Sequence, residues 1–482
     1  MNSAREWQPL LDGSLRSQAL ETIGDIAEAL RHPPEPTPVE GYTTEMTQAI
    51  KHGLMTGRAG LAVFFAYLAE AGLHQDAEEL AWDFLDESEA GLTEHWMGAS
   101  LCEGFTGIAW AHAHLYQVLS HARDRGELKD LDEALIGLLL DWPSPDHYEL
   151  LYGMVGVGVY ALERLPRPRA RRMLRLIVDR LEESAQRMTD GIAWLSPQTP
   201  GSPGREYNLG MSHGIPGVIG FLARVVAARV EPRRAFSLLR ESVRWLRAQR
   251  LPPEHGGGFP AVISRGESPA PTRVAWCYGD PGVAAALLAA ARVLEQPDLE
   301  QEAIELALSA AARPPSESLI ADAGICHGAA GLGQLYNRFF QMTGHPALGA
   351  AARDFFAQAI EFRRPGTGIA GYAPAPAPGS EDASAIDQND PGLLSGAAGI
   401  GLALLAATTP VPPAWDRLLL ADFPSMAAVR AGRNHSAALA PGRRSMSTGS
   451  VAVLPASAPS RNSNPTGGTD DQEDREGPQG TA

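Results

Sequence analysis

The stretch Trp276-Cys277-Tyr278-Gly279-Asp280-Pro281-Gly282-Val283-Ala284-Ala285-Ala286-Leu287-Leu288 puts a Gly-x-x-G directly ahead of an apolar run with helical character. The arrangement recurs at Gly57/Gly60, Gly104/Gly107, Gly153/Gly156, Gly214/Gly217, Gly279/Gly282, Gly328/Gly331 and Gly396/Gly399. Counted from first glycine to first glycine, the spacings are 47, 49, 61, 65, 49 and 68 residues. Fifty glycines in 482 residues give about five such pairs by chance, and out-of-frame pairs such as Gly201/Gly204 occur. The apolar helical stretch after each of the seven distinguishes them: Leu61 to Leu68 and Ile108 to Leu115 are two further cases. The chain therefore reads as seven repeats.

Between the apolar runs lie second helical segments, such as 170–188 and 234–249, rich in Arg and Glu on one side. Two helices per repeat make seven hairpins, and with the smaller, more apolar helix inside they can close into a ring. The fold class expected is all-α, a ring of seven helical hairpins. Glycine suits such a unit because it permits positive φ at a sharp loop-to-helix turn and close backbone approach where inner helices crowd. Asp280-Pro281 reads as a helix start, with Asp as N-cap and Pro at the first helical position. Strand signals are sparse: 257–263 and 366–373 read as short hairpins or loops.

The repeats define one large domain over residues 1–423. From 424 to 482 the sequence is rich in Ser, Pro, Gly, Asn and Ala, lacks a repeated apolar face, and reads as a disordered tail. Residues 374–391, with alternating Pro and Ala followed by an acidic segment, read as a surface loop. The net charge of -17 and pI near 5.2 disfavour nucleic acid and anionic membrane surfaces as partners. Neither a signal-peptide pattern nor about 18 uninterrupted apolar residues occurs, so no transmembrane segment and a cytoplasmic location are expected.

Three cysteines without disulfide-scaffold spacing are ligands, nucleophiles or core fillers in a reducing compartment. Cys102 reads as a core or helix-end residue. Cys277 and the pair Cys326-His327 lie just ahead of their repeat glycines, one repeat apart, so a closed ring makes their loops neighbours. Two buried cysteines and a capping histidine are one reading. The other, favoured by the repeat frame, is a zinc site with two thiolates, one imidazole and an open fourth position. Such a site is nearly neutral and suits thiol activation for addition or alkyl transfer. His213 precedes another repeat glycine and is either a loop-capping histidine or a proton carrier. Arg273 is a surface cation or a stabiliser of developing negative charge; Tyr278 packs or hydrogen-bonds a reacting carbonyl.

Four motifs carry a family resemblance: Ser-His-Gly-Ile-Pro-Gly (212–217), Arg-Val-Ala-Trp-Cys-Tyr-Gly-Asp-Pro-Gly-Val-Ala (273–284), Ile-Cys-His-Gly-Ala-Ala-Gly-Leu (325–332), and Gly-Leu-Leu-Ser-Gly-Ala-Ala-Gly-Ile-Gly-Leu-Ala-Leu (392–404). Together they resemble the lanthionine synthetase C-like family over about residues 15–423. The resemblance implies an α/α toroid with zinc on Cys277, Cys326 and His327. For a bacterial-type member it implies a cyclase acting on a dehydrated precursor peptide supplied by a separate dehydratase. The peptide's Cys thiolate would add to dehydroalanine or dehydrobutyrine to form a thioether ring. The family's acid/base histidine matches His213, and its active-site arginine and tyrosine match Arg273 and Tyr278. Its aspartate falls on Glu149, a departure of one methylene that keeps the charge; Asp146 is a nearby substitute. Resemblance to eukaryotic members allows addition of glutathione to dehydrated residues instead. A binding protein with a structural zinc, recruiting peptide or dehydratase, is the reading from outside enzymology.

Overall fold

The computed structural model describes residues 6–36, 43–119, 128–142, 147–196, 206–264, 269, 271–375 and 388–424. Asp146, most of the 374–391 segment and all of the expected tail but Pro424 lie outside them. The α-helices, in chain order, begin with α1 Gly13–Leu30, α2 Thr44–His52, α3 Arg58–Glu70, α4 Ala77–Glu94, α5 Phe105–Val118, α6 Lys129–Leu140, α7 Met154–Glu163 and α8 Pro168–Ser184. They continue with α9 Ile215–Ala227, α10 Pro232–Ala248, α11 Asp280–Leu294, α12 Pro297–Ala311, the single turn α13 Pro315–Ser318, α14 Ala329–Thr343, α15 Pro346–Glu361 and α16 Ala397–Thr408. Two small antiparallel sheets pair β1 Gln186–Met188 with β2 Gly191–Ala193, and β3 Glu206–Asn208 with β4 Val262–Ser264. The 257–263 stretch thus contributes a strand, and 366–373 a single bridge between Ile369 and Tyr372.

The seven helices that follow the glycine pairs are α3, α5, α7, α9, α11, α14 and α16, and each has its first repeat glycine as N-cap. They pack side by side in that order, and α16 returns to α3. They form a closed inner ring and are buried nearly all round; in α11 only Arg292 escapes burial. An outer layer packs behind it. α4, α8, α10, α12 and α15 back their preceding inner helices, and α6 packs on α8. These helices are amphipathic: α8 buries Ala170, Met173, Leu174, Ile177, Val178 and Leu181, a stripe at helical spacing, and leaves its arginines outside. Several begin with proline, whose fixed φ suits a first helical position. The last outer helix is α1, from the opposite end of the chain, which packs on α16. Leu10 and Leu11 donate backbone N–H groups to the Ala407 carbonyl. The molecule is an α/α toroid. No described helix is long and apolar enough to cross a membrane.

The glycines act differently from the expectation of positive φ. None of the seven N-cap glycines has φ in the left-handed region. What demands glycine is crowding. A Cβ on Gly107 would lie 2.2 Å from the Leu101 carbonyl oxygen and 2.8 Å from Leu54 Cβ of the previous repeat. A Cβ on Gly60 would lie 2.4 Å from the Leu54 oxygen and 3.2 Å from Leu393 Cβ, which belongs to the seventh repeat. At Gly60, Gly107, Gly156, Gly282 and Gly399 the second glycine lets the loop of the preceding repeat nest against its helix. Asp280 also departs from its expected role. It is the first helical residue behind the N-cap Gly279, and its carboxylate accepts the Phe259 N–H at 2.8 Å and pairs with Arg313.

The loops before the inner helices are bonded into a circuit. Met55 N–H donates to Cys102 O, Cys102 to Leu151, Leu150 to Ser212, Met211 to Cys277, Cys277 to Cys326, Cys326 to Leu394, and Leu394 to Met55, at 2.7 to 3.3 Å. All three cysteines therefore share one register, two residues before their repeat glycine. At the other end of the inner helices, a 3-10 turn at Ala414–Leu419 enters the ring. Asp416 is fully buried and accepts from Arg338 Nε at 2.6 Å and Gln334 Nε2 at 2.7 Å. From this turn the Leu419 carbonyl accepts the indole N–H of Trp276 at 3.0 Å, one residue before Cys277.

Candidate metal centre

Inner-helix N-termini all face one end of the toroid, so the partial positive charge of seven helix dipoles converges there. In that end, Cys277, Cys326 and His327 bring one ligand atom each to within 4.8 Å of one another. Cys277 is buried just ahead of α11, Cys326 and His327 are half-buried just ahead of α14, and the Cys277 N–H to Cys326 O bond of 3.2 Å ties the two loops. Arg273 Nη2 lies 3.3 Å from Cys277 Sγ. Contact with the Cys326 thiol, then the neighbouring His327 ring and the charge of Arg273, hold the Cys277 thiol well below the ordinary thiol range despite its burial. The same contact and burial push Cys326 up.

His327 has the orientation of a metal ligand. Its Nδ1 is buried and makes no hydrogen bond, while Nε2 faces the Asp322 carboxylate at 3.6 Å. Asp322 is held in turn by the Gly324 and Ala375 backbone N–H groups, both at 3.0 Å. A carboxylate behind an imidazole fixes the ring and leaves its other nitrogen for a cation. Two sulfurs, a free ring nitrogen and a supporting carboxylate fit zinc, with three protein ligands.

The residue immediately before each repeat glycine lines the same end. His213 and Tyr278 occupy this register, as do His327, Tyr152 and Glu103. The His213 ring is flanked by Tyr152, with centroids 6.0 Å apart and planes 6° apart, and by Tyr278 at 6.1 Å and 29°. Glu149 reaches His213: its Oε2 is 3.1 Å from Nδ1. The same buried carboxylate accepts the Leu151 N–H at 2.7 Å and the Tyr152 N–H at 2.6 Å. Burial pushes the Tyr278 hydroxyl up to about 12. All seven residues singled out in the sequence thus lie on adjoining loops at one end of the ring.

Two neighbours were absent from the sequence reading. Asn208 Nδ2 lies 3.0 Å from the Tyr278 hydroxyl, and Tyr152, half exposed, covers the open face of His213. Superposing the seven loops on their glycines would have exposed both. Asn208 shares its place, six residues before the repeat glycine, with Arg273 and Asp322, and Tyr152 shares that of Tyr278.

The family model described as lanthionine synthetase C-like protein matches residues 49–420, well over half of the chain. The chain belongs to the lanthionine synthetase C-like family. Among characterised relatives, the protein named glutathione S-transferase LANCL1 from Danio rerio is 26% identical over 342 residues, covering 64% of this chain and 77% of that protein. Among solved structures, the one titled nisin cyclase superposes with a TM-score of 0.64 at 18% identity, covering 85% of this chain and 98% of the other. This likeness is one of fold. The candidate metal-ligand trio, Arg273 and the His213–Glu149 pair all fall within the matched 49–420 segment of this lanthionine synthetase C-like chain.

Proposed function

We propose that this lanthionine synthetase C-like protein is a zinc-dependent cyclase. It would join cysteine thiols of a dehydrated precursor peptide to dehydroalanine or dehydrobutyrine, forming lanthionine or methyllanthionine. The observation carrying this reading is the convergence of a Cys-Cys-His ligand set with the His213–Glu149 pair and Tyr278 on one mouth of the ring. Cys277, Cys326 and His327 would hold the metal, which when bound supplies the Lewis acidity that keeps a substrate thiol as thiolate near neutral pH. Two thiolates and one imidazole leave the centre nearly neutral, so the substrate sulfur retains its nucleophilicity.

The chain's own groups complete the reaction. The thiolate forms a bond to the β-carbon, and the π electrons of the C=C bond shift through Cα to the carbonyl oxygen as an enolate. Arg273 or Tyr278 steadies that oxygen by hydrogen bonding. Glu149 accepts from His213 Nδ1 and fixes the tautomer, which leaves Nε2 free to take up the proton released by the thiol and then deliver it to Cα. The proton lost by the thiol is thereby balanced by the one gained at Cα. The surplus of acidic residues suits a neutral or basic peptide. A separate dehydratase would supply it.

Incubation with a dehydrated, cysteine-containing peptide tests the reading. Free thiols counted by alkylation and mass spectrometry are expected to fall while peptide mass stays constant, because addition is an isomerisation. Thiol counts unchanged by zinc-loaded protein would refute it. A second reading, addition of glutathione to dehydrated residues of proteins, is favoured by the relative named glutathione S-transferase. It predicts a peptide mass raised by one glutathione for each residue modified.

Glu149→Gln keeps the length but has a single acceptor oxygen, so it gives up one of the two backbone hydrogen bonds and removes the charge beside His213. Both Glu149→Gln and His213→Asn are expected to lower kcat about 100-fold or more with zinc content unchanged. Normal rings of normal stereochemistry formed at full rate by His213→Asn would remove that residue from the mechanism.

A further inference from the structure

Asn208 ends β3, where its backbone is paired with Val262, and its side chain bridges two functional loops. Its Oδ1 accepts the Gly210 N–H at 2.8 Å. A backbone N–H can only donate, so this contact fixes the amide orientation and turns the NH2 toward Tyr278, 3.0 Å from the phenolic oxygen. Tyr278 lies on the glycine between them: a Cβ at Gly210 would sit 2.7 Å from Tyr278 Cε1. His213 follows three residues later and stands 6.1 Å from the same phenol ring.

We propose that Asn208 is a positioning residue that makes Tyr278 the hydrogen-bond donor to the enolate oxygen in the cyclase reaction. The inference rests on the cyclase reading above and selects between the two enolate stabilisers it names. Because Asn208 donates to the phenolic oxygen, that oxygen serves as acceptor on the Asn208 side, and its own O–H proton is left for the substrate. The donor is held by a turn in the rigid ring rather than by a mobile side chain, so it requires little reorganisation as charge develops.

The repeats supply the control. Asp322 and Asp390 stand at the place of Asn208 in their own repeats, and each carboxylate accepts the N–H of the glycine two residues on, at 3.0 and 2.6 Å. Aspartate therefore makes the same turn. Asn208→Asp preserves the turn but reverses the second bond, since a carboxylate accepts and the Tyr278 O–H would be drawn away from the substrate. A purely structural Asn208 predicts a nearly unaffected variant. A polarity-setting Asn208 predicts a kcat about 100-fold lower, with KM within about threefold of the parent and zinc content unaltered.

The experiment uses the full-length zinc-loaded protein and a dehydrated cysteine peptide, with Asn208→Asp, Tyr278→Phe and the double variant measured side by side. Equal losses in the single variants, and no further loss in the double, are expected. Tyr278→Phe reads the same donor without touching the turn. In protein labelled with 13C at tyrosine Cζ, the Tyr278 signal, identified by its loss in Tyr278→Phe, is expected to shift in Asn208→Asp. An Asn208→Asp protein that turns over at the parental rate overturns the inference and leaves the cyclase reading intact. A parent protein that consumes no thiol sinks the cyclase reading itself, and an unmoved Cζ signal would then overturn the hydrogen-bond assignment independently.

Discussion

Cys277→Ser is expected to reduce bound zinc from about one per chain to near zero and to slow thiol addition about 1000-fold. A serine hydroxyl does not ionise as a thiol does, and loss of a Lewis acid removes several kcal/mol of transition-state stabilisation. The fold should survive. Cys277 is tied to its neighbours through backbone groups, its N–H to Cys326 and its carbonyl from Met211, which the substitution leaves in place. Metal analysis, far-ultraviolet circular dichroism and the thiol-consumption assay check the three statements. Cys102→Ser is the matched control, since Cys102 occupies the same register two residues before Gly104 but bonds to the loops of Met55 and Leu151. It should keep zinc and rate, although placing a hydroxyl at a 2% exposed site costs some stability. Full zinc and full rate in Cys277→Ser would overturn the ligand assignment.

Gly399→Ala is expected to be strongly destabilising. The added Cβ would lie 1.9 Å from the Leu393 oxygen and 2.6 Å from Ile325 Cγ1, with a third contact at 2.9 Å on the Leu393 carbonyl carbon. A backbone oxygen cannot swing aside as a side-chain tip can, so the loop bearing Leu393 and Leu394 must move. We expect a loss of about 3 kcal/mol or more, or about 3 to 4 °C in melting temperature for a ring of this size. Gly24→Ala, on the exposed side of α1 with nothing within 4 Å, should instead raise stability by about 0.5 to 1 kcal/mol. Calorimetry on both variants separates crowding from conformational freedom; a Gly399→Ala protein as stable as its parent would refute the crowding argument.

Most of the architecture was legible in the sequence because one physical demand repeats seven times. A glycine pair followed by an apolar helix marks every loop that must nest against its neighbour, and the two candidate cysteine ligands, Cys277 and Cys326, fall at the same register in consecutive units. The reason for the glycines was less legible: φ leaves no trace in sequence, and only the position of Leu101 or Leu393 reveals a steric demand. Asp280 looked like a cap because Asp-Pro has the right composition, yet tertiary contacts with Phe259 and Arg313 claim its carboxylate. Asn208 was hidden because its spacing to Tyr278 is 70 residues and its partner is a phenol rather than a charge. Glu149 needed the structure to show that its longer side chain still meets His213 while also accepting two backbone donors.

Repeat proteins usually end in units whose outer faces must be made polar, and their stability can be adjusted by adding or deleting a unit. Here the seventh inner helix, α16, takes α1 as its outer partner and α3 as its next neighbour, so every unit has two flanks and none is terminal. Such a ring has a fixed copy number. Deleting one hairpin would strain the five remaining backbone junctions to close a sixth, and adding one would open a gap no loop is shaped to fill. Variation in proteins built this way should therefore accumulate in the length of the segments between units, as in the 61-, 65- and 68-residue spacings, and not in the number of units.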